Sequence, residues 1–231
     1  DLKCGVNSAL VNSCLGNIIP ETPYMGASGY NLKNLEKMLL KGKVLSEVKM
    51  DGQYANCIIK DNEVYLESRG GNPTVLGNIF NPLSTLQDGT VLNGELVIDG
   101  VDRYTSNGMV NSIVTIFKKM DQGKNVKSEI SGFEKKHKCR FDDTMGKIRY
   151  VIWDVIPYSS YISDLDETPR FKRLEKVEEV CSFLNSKGVF LVEPIKYEIC
   201  STKKEVFKHF STLLSEGQEG TIVKEYNASW E

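Results

Sequence analysis

The sequence predicts an α+β fold in which antiparallel sheets are flanked by helices. Three observations predict it. Short apolar-alternating runs recur, and tight polar turns join some of them. Other stretches repeat their apolar residues at helical spacing. The two kinds are mixed without the regular strand-helix beat of a doubly wound fold. At 231 residues the chain can bury a substantial core, in one domain or one with a small annex.

Taken in order, Ala9 to Leu15 reads as a short helix ended by Gly16. Pro20 and Pro23 then break the chain, as in a linker into the main fold. Leu32, Leu35 and Met38 or Leu39 mark a helix closed by Gly42, and Val44 to Val48 is a strand. Tyr54 to Ser68 reads as two strands. Ala55, Cys57 and Ile59 lie on one face of the first, Val64 and Leu66 belong to the second, and Lys60-Asp-Asn-Glu63 supplies the turn. Val91 to Ile98 is a further strand, interrupted by Asn93-Gly94-Glu95, and Met109, Ile113, Ile116 or Phe117, and Met120 make a helix face. Residues 121–147 crowd Lys124, Lys127, Lys135, Lys136, Lys138, Arg140 and Lys147 among few apolar residues. They read as a solvated, mobile loop or, more sharply, as a phosphate-contacting surface. Ile148 to Ile156 is a strongly apolar strand. Phe171, Leu174, Val177, Val180 or Cys181, and Leu184 form an amphipathic helix with Gly188 past its end. Val189 to Val192 reads as a strand. Thr202-Lys-Lys-Glu205 is a capping box opening a helix through Val206, Phe207, Phe210, Leu213 and Leu214. Gly220 to Lys224 is the last strand.

Net charge is −2, so no global field attracts a polyanion, and any nucleic-acid surface must be local. Six cysteines lack CxxC spacing and no zinc-type histidine pattern accompanies them. That argues against zinc and for a reducing compartment. No signal peptide or long apolar run is evident, which leads us to expect a soluble intracellular protein. Neither end looks like a natural terminus, so a fragment is expected.

Glu47-Val48-Lys49-Met50-Asp51-Gly52 organises these elements. A strand delivers one amine to a turn whose glycine allows close backbone approach to a ligand. An amine that is desolvated or set beside other cations gives up its proton more readily and becomes a nucleophile. Alone, Lys-x-Asp-Gly also fits an exposed turn lysine. Four more polar signatures follow at strand ends and turns: Ser68-Arg69-Gly70-Gly71, Asn93-Gly94-Glu95-Leu-Val, Trp153-Asp154, and Glu219-Gly220-Thr-Ile-Val-Lys224.

In this order the five signatures resemble motifs I, Ia, III, IIIa and IV of the covalent nucleotidyltransferases, most closely the ATP-dependent DNA ligases of tailed bacteriophages. Ile18-Ile-Pro-Glu-Thr-Pro-Tyr-Met25, Thr105-Ser-Asn-Gly108 and Val151-Ile-Trp-Asp-Val-Ile-Pro157 are similar to segments of those ligases, so the likeness covers nearly the whole chain. The resemblance implies an ATP-grasp-like adenylation domain serving DNA replication, repair and recombination. Its substrates are ATP and nicked double-stranded DNA, Mg²⁺ is its metal, and the protein is a monomer in the host cytoplasm.

The resemblance also assigns roles. Lys49 attacks the α-phosphate of ATP and holds AMP as a phosphoramidate. AMP then passes to a 5′-phosphate at a nick, and the 3′-hydroxyl displaces it. Arg69 binds ribose or phosphate, Glu95 the ribose or Mg²⁺, and Glu219 Mg²⁺. Trp153 stacks on adenine, Glu47 reads its amino group, and Lys224 neutralises the α-phosphate. Asp51 supports the turn. Without the resemblance these are an outward-facing strand residue, surface cations, sheet-edge charges and a core indole.

Two departures stand out. The family carries Arg where Tyr54 stands, and a phenol can hydrogen-bond a ribose but brings no charge. Asn93 replaces the usual Asp and keeps the turn propensity. The family's motif V and OB-fold do not follow Trp230. Residues 1–20 are therefore expected to end an N-terminal DNA-binding domain and linker, and 21–231 to form the adenylation domain. Separated from those pieces, it is expected to self-adenylate poorly. RNA ligases and mRNA-capping guanylyltransferases share the lysine. A non-catalytic DNA-binding module is the alternative of a different class.

Overall fold

The computed structural model describes residues 8–16, 18, 19 and 22–231. Pro20, one of the two expected chain breakers, lies outside the described residues, as do residues 1–7 of the expected annex and Glu21 of the Ile18–Met25 segment.

Helix α1 spans Ser8–Leu15. Helix α2, Leu32–Lys41, is capped by Asn31, whose side chain accepts from the amides of Lys33 and Asn34. Strand β1 (Val44–Val48) follows, then the hairpin of β2 (Gln53–Lys60) and β3 (Glu63–Glu67). Asp61 and Asn62 both adopt left-handed backbone at the hairpin turn, which such polar residues tolerate. A 3-10 turn at Asn81–Thr85 leads to β4 (Thr90–Ile98) and to the long α3 (Arg103–Asp121). Helices α4 (Lys127–His137) and α5 (Phe141–Met145) precede β5 (Ile148–Pro157). The chain closes with α6 (Tyr158–Ser163), α7 (Arg170–Ser186), β6 (Val192–Pro194), β7 (Tyr197–Cys200), α8 (Lys203–Ser215) and β8 (Thr221–Glu225).

Two sheets result. One has the order β7-β1-β8 and is antiparallel throughout. The other runs β3-β2-β4-β5-β6, antiparallel except for the β5–β6 pair. The main core packs α3 and α7 on the five-stranded sheet. Ala55, Cys57, Ile59, Leu92, Leu96, Tyr150 and Ile152 come from the strands, with Met109, Ile113, Val177 and Leu184 from the helices. A second cluster joins the sheets, because Leu45 and Val48 of β1 meet Val151 of β5 and Leu174 of α7.

Three expectations are corrected. Residues 121–147 are not a loop. Val126, Phe133 and Phe141 are buried and anchor α4 and α5, while all seven basic side chains named above stay exposed. The strand expected at Val189–Val192 starts only at Val192, where pairing with Tyr150 of β5 begins. The last strand begins at Thr221 and not at Gly220, whose backbone has φ +140. Strand β7, α6 and the 3-10 turn are additions; β7 gives β1 its second neighbour. The Thr202–Glu205 capping box is present in both directions. Among the described residues no helix is long and apolar enough to cross a membrane.

Candidate active site

Lys49 leaves the end of β1 with its backbone pinned: its amide donates to the carbonyl of Gly220 at 2.9 Å. That bond brings the chain just before β8 beside it, so the half-buried Lys49 ammonium donates directly to the Glu219 carboxylate. Arg103, at the first turn of α3, lies on the same carboxylates. Its Nη1 is 3.6 Å from Asp51 Oδ2 and 3.9 Å from Glu219 Oε2. Sequence reasoning missed Arg103. It stands two residues before the ligase-like Thr105–Gly108 segment, and nothing in its spacing marks it.

Gly52 brings in the third carboxylate. Its amide donates to Glu95 Oε2 at 2.7 Å. A Cβ here would overlap the carbonyl oxygen of Leu96 and stand 2.8 Å from Val97 Cγ1, so only glycine lets the turn lie against β4. Burial raises the Glu95 carboxyl above its ordinary range. The Gly52 amide and the Lys49 ammonium oppose this, while Asp51 and Glu219 add to it.

Trp153 owes its direction to an irregularity in β5. Asn93 pairs with Asp154 and Gly94 with Ile152, so Trp153 is the extra residue of a bulge. Bulges re-aim side chains. This one leaves the indole half-buried between two buried neighbours, Ile152 and Asp154. Trp153 and Met50 both pack on the cluster that joins the sheets. The indole lies 5.9 Å from the Tyr54 ring, and Tyr54 in turn meets Tyr24 edge-on at 5.1 Å. Tyr54 donates to Asn56 Oδ1 at 2.6 Å and not into open space. Arg69 joins this wall from its loop, with its guanidinium 3.8 Å above the Tyr24 ring. Tyr24 belongs to the ligase-like Ile18–Met25 segment, but that likeness does not single it out.

Glu47 and Lys224 form an ion pair on neighbouring strands β1 and β8. Glu47 is only 2% exposed and is no outward-facing strand residue. Its Oε2 lies 2.9 Å from Lys224 Nζ, and its Oε1 accepts from Arg170 Nε at 2.8 Å. Lys224 is likewise no surface lysine. Burial, the largest cause, lowers its pKa, and the neighbouring Arg170 pushes the same way against the pull of Glu47. The cations outweigh burial at Glu47, whose carboxyl lies below its ordinary value.

The structure thus brings the expected residues together in three groups: Lys49 with Glu219 and Glu95; Trp153 with Tyr54 and, through Tyr24, Arg69; and Glu47 with Lys224. Glu95 connects the first two, since it faces Tyr54 across the β2–β4 pair. Among the described residues no group of three or more His, Cys, Asp or Glu side chains is arranged to hold a metal. Two electrostatically coupled carboxylates, Glu95 and Glu219, still fit a hard divalent cation of the magnesium type. Such ions commonly take one or two carboxylates and fill their shell with water and phosphate oxygens.

The family described as ATP dependent DNA ligase domain matches residues 27–231. The chain is 24% identical over 265 residues to the DNA ligase of Enterobacteria phage T4 and 25% identical over 265 residues to that of Enterobacteria phage T6. All of this chain and 50% of each relative is covered. The chain spans about half the length of the curated relatives it matches. Its fold is similar to that of the ATP-dependent DNA ligase from bacteriophage T7 in complex with ATP, with a TM-score of 0.69 at 18% identity over 91% of this chain and 65% of that one. It is also similar to a Chlorella virus DNA ligase-adenylate, with a TM-score of 0.55 at 17% identity over 91% and 62%.

Proposed function

Because the chain belongs to the ATP dependent DNA ligase domain family, we propose that it performs the nucleotide-transfer chemistry of a DNA-joining enzyme, with Lys49 as the nucleophile. The observation that carries this reading is the contact of Lys49 with Glu219 beside the Gly52–Glu95 bond, at the edge of an aromatic wall.

The steps are three displacements at phosphorus. Lys49 Nζ attacks the α-phosphorus of ATP. An N–P bond forms, the bond to the bridging oxygen breaks, and pyrophosphate leaves with the electron pair. The proton lost from Nζ has the Glu219 carboxylate in contact as its acceptor. A 5′-phosphate oxygen of nicked duplex DNA then displaces the lysine and takes the AMP. The 3′-hydroxyl oxygen finally attacks that 5′-phosphorus, releasing AMP and closing the backbone.

This chain's residues supply position and charge, which dominate phosphoryl transfer. Trp153 stacks on the base, and Arg69 moves from the Tyr24 ring to ribose or phosphate oxygens. Glu47 accepts from the adenine amino group. Lys224 holds Glu47 with one of its three N–H donors and can turn another to the α-phosphate, whose charge it neutralises. A magnesium ion held by Glu95 and Glu219 supplies positive charge to the phosphate oxygens when bound. The exposed basic side chains of residues 121–147 suit the DNA backbone.

Intact-mass analysis after incubation with ATP and Mg²⁺ tests the reading. One AMP is expected on the protein and none on Lys49→Ala. If the protein carrying its flanking domains takes up no AMP, the reading is wrong and a binding module replaces it.

A further inference from the structure

Five charged side chains meet between the two sheets, away from water. Arg170 is 0% exposed, Arg173 2%, and Asp154 0%. Glu47 and Lys224 complete the group. Arg170 opens α7, which packs on β5 through Leu174 and Val177. Its Nε donates to Glu47 Oε1 at 2.8 Å, and its Nη2 lies 2.6 Å from the same oxygen. Its Nη1 lies 3.2 Å from Asp154 Oδ2. The two Nη contacts are ion pairs without hydrogen-bond alignment. Arg173 Nε donates to Asp154 Oδ1 at 2.7 Å.

These partners have telling places. Glu47 lies on β1, two residues before Lys49, in the three-stranded sheet. Asp154 lies on β5, next to Trp153, in the five-stranded sheet. One guanidinium therefore ties the strand that bears the nucleophile to the strand that bears the indole.

Resting on the function proposed above, we propose that Arg170 is a positioning residue that sets base selection. It holds the Glu47 carboxylate in one orientation as an acceptor-only group. Adenine offers an exocyclic amino donor there, and guanine offers a carbonyl acceptor at the corresponding carbon. An ionised carboxylate accepts from the first and repels the second. Stripped of its arginine, this buried carboxylate would keep Lys224 on Oε2 alone, leaving Oε1 free to take up a proton or swing toward that cation. A protonated carboxyl donates as well as accepts, and the distinction between the bases fades. Lysine cannot replace Arg170, because a single ammonium does not span two carboxylates on different sheets as a planar fork does.

The experiment uses the full chain with its flanking domains and α-labelled ATP or GTP, and it reads the rate and KM of lysine labelling. Wild type is expected to prefer ATP strongly. In Arg170→Met and Arg170→Lys the ATP-to-GTP preference is expected to fall at least tenfold, with KM for ATP rising more than the maximal rate falls. Glu47→Gln, whose amide can donate to a carbonyl, is expected to shift the preference the same way. If both Arg170 variants unfold, Asp154→Asn, which weakens the other anchor of the Arg170 fork, takes their place, and an unchanged preference there overturns the proposal. An unchanged preference in folded Arg170 variants, whatever their labelling rate, overturns the proposal and leaves Arg170 a structural tie. Failure of wild type to label with ATP sinks the underlying ligase reading instead, and this inference with it.

Discussion

Gly94 lies against the backbone of Val151 so closely that any Cβ on it would overlap the Val151 carbonyl oxygen and stand 2.8 Å from a ring carbon of Tyr150. The glycine faces the bulge whose extra residue is Trp153. The two features depend on each other, because a bulged strand needs room that only a residue without a side chain leaves. Gly94→Ala is therefore expected to lose about 1–3 kcal/mol of stability, the usual cost of overpacking a tight core. The obstacle is backbone and cannot rotate away, so the upper end applies. Urea titration gives the stability, and AMP labelling is expected to fall further than stability alone explains, because the indole moves. Labelling equal to wild type in a folded Gly94→Ala protein would show that the bulge does not set the indole's position.

Glu95 gives a pH dependence with a definite sign. Burial raises its carboxyl, and Asp51 and Glu219 reinforce that against the Gly52 amide and Lys49. The folded state thus holds this proton more tightly than the unfolded chain does. The resulting stabilisation is complete below the unfolded value of about 4.3 and is lost as pH rises through the higher folded value. Glu95→Gln keeps the shape and removes the titration. Its stability is expected to fall less than that of wild type between acid and neutral pH, as followed by thermal melts. At neutral pH the variant is expected to label with AMP more than about tenfold more slowly, since even outer-shell partners of a bound metal are worth that much. A wild-type melting profile parallel to that of the variant would remove Glu95 as the source.

Much of this arrangement was legible in the sequence because its elements follow simple periods. The hairpin turn at Asp61-Asn62, the helix from Leu32 to Gly42 and the capping box at Thr202 announce themselves locally. What stayed hidden depends on pairing across distance. The stretch at 170–184 reads as an amphipathic helix led by Phe171, yet Phe171 is only half-buried and stacks on Tyr226 at 4.7 Å. The buried face begins with Arg170 and Arg173. An apolar count passes over them, because a charge becomes a core residue only when its counter-charges arrive from elsewhere, here from Glu47 and Asp154. Trp153 was legible as a type, but its direction was not, since the bulge is a property of the β4–β5 register. In α4, lysines outnumber the apolar residues that anchor it, so local composition points to a loop.

Tyr54 stands where the family carries arginine, and its geometry predicts what the exchange costs. The phenol donates to Asn56 Oδ1 at 2.6 Å, and that oxygen also accepts from Asn93 Nδ2 at 2.7 Å. Asn56 passes the chain on by donating to Tyr161 at 3.0 Å. Burial, with Tyr161 and Tyr24 adding to it, pushes the Tyr54 hydroxyl far above its ordinary range, so it remains a donor at any usable pH. The hydroxyl is thus committed to the sheet, while the ring serves the aromatic wall. Tyr54→Phe keeps the ring contacts with Trp153 and Tyr24 and leaves Asn56 one of its two donors. It is expected to cost about 1 kcal/mol, the net worth of one hydrogen bond. KM for ATP in lysine labelling is expected to stay within about threefold of wild type, a shift worth well under 1 kcal/mol. Denaturant titration checks the first figure and labelling kinetics the second. A rise in KM of tenfold or more would mean that the hydroxyl leaves Asn56 to meet the nucleotide, in the manner of the arginine it replaces.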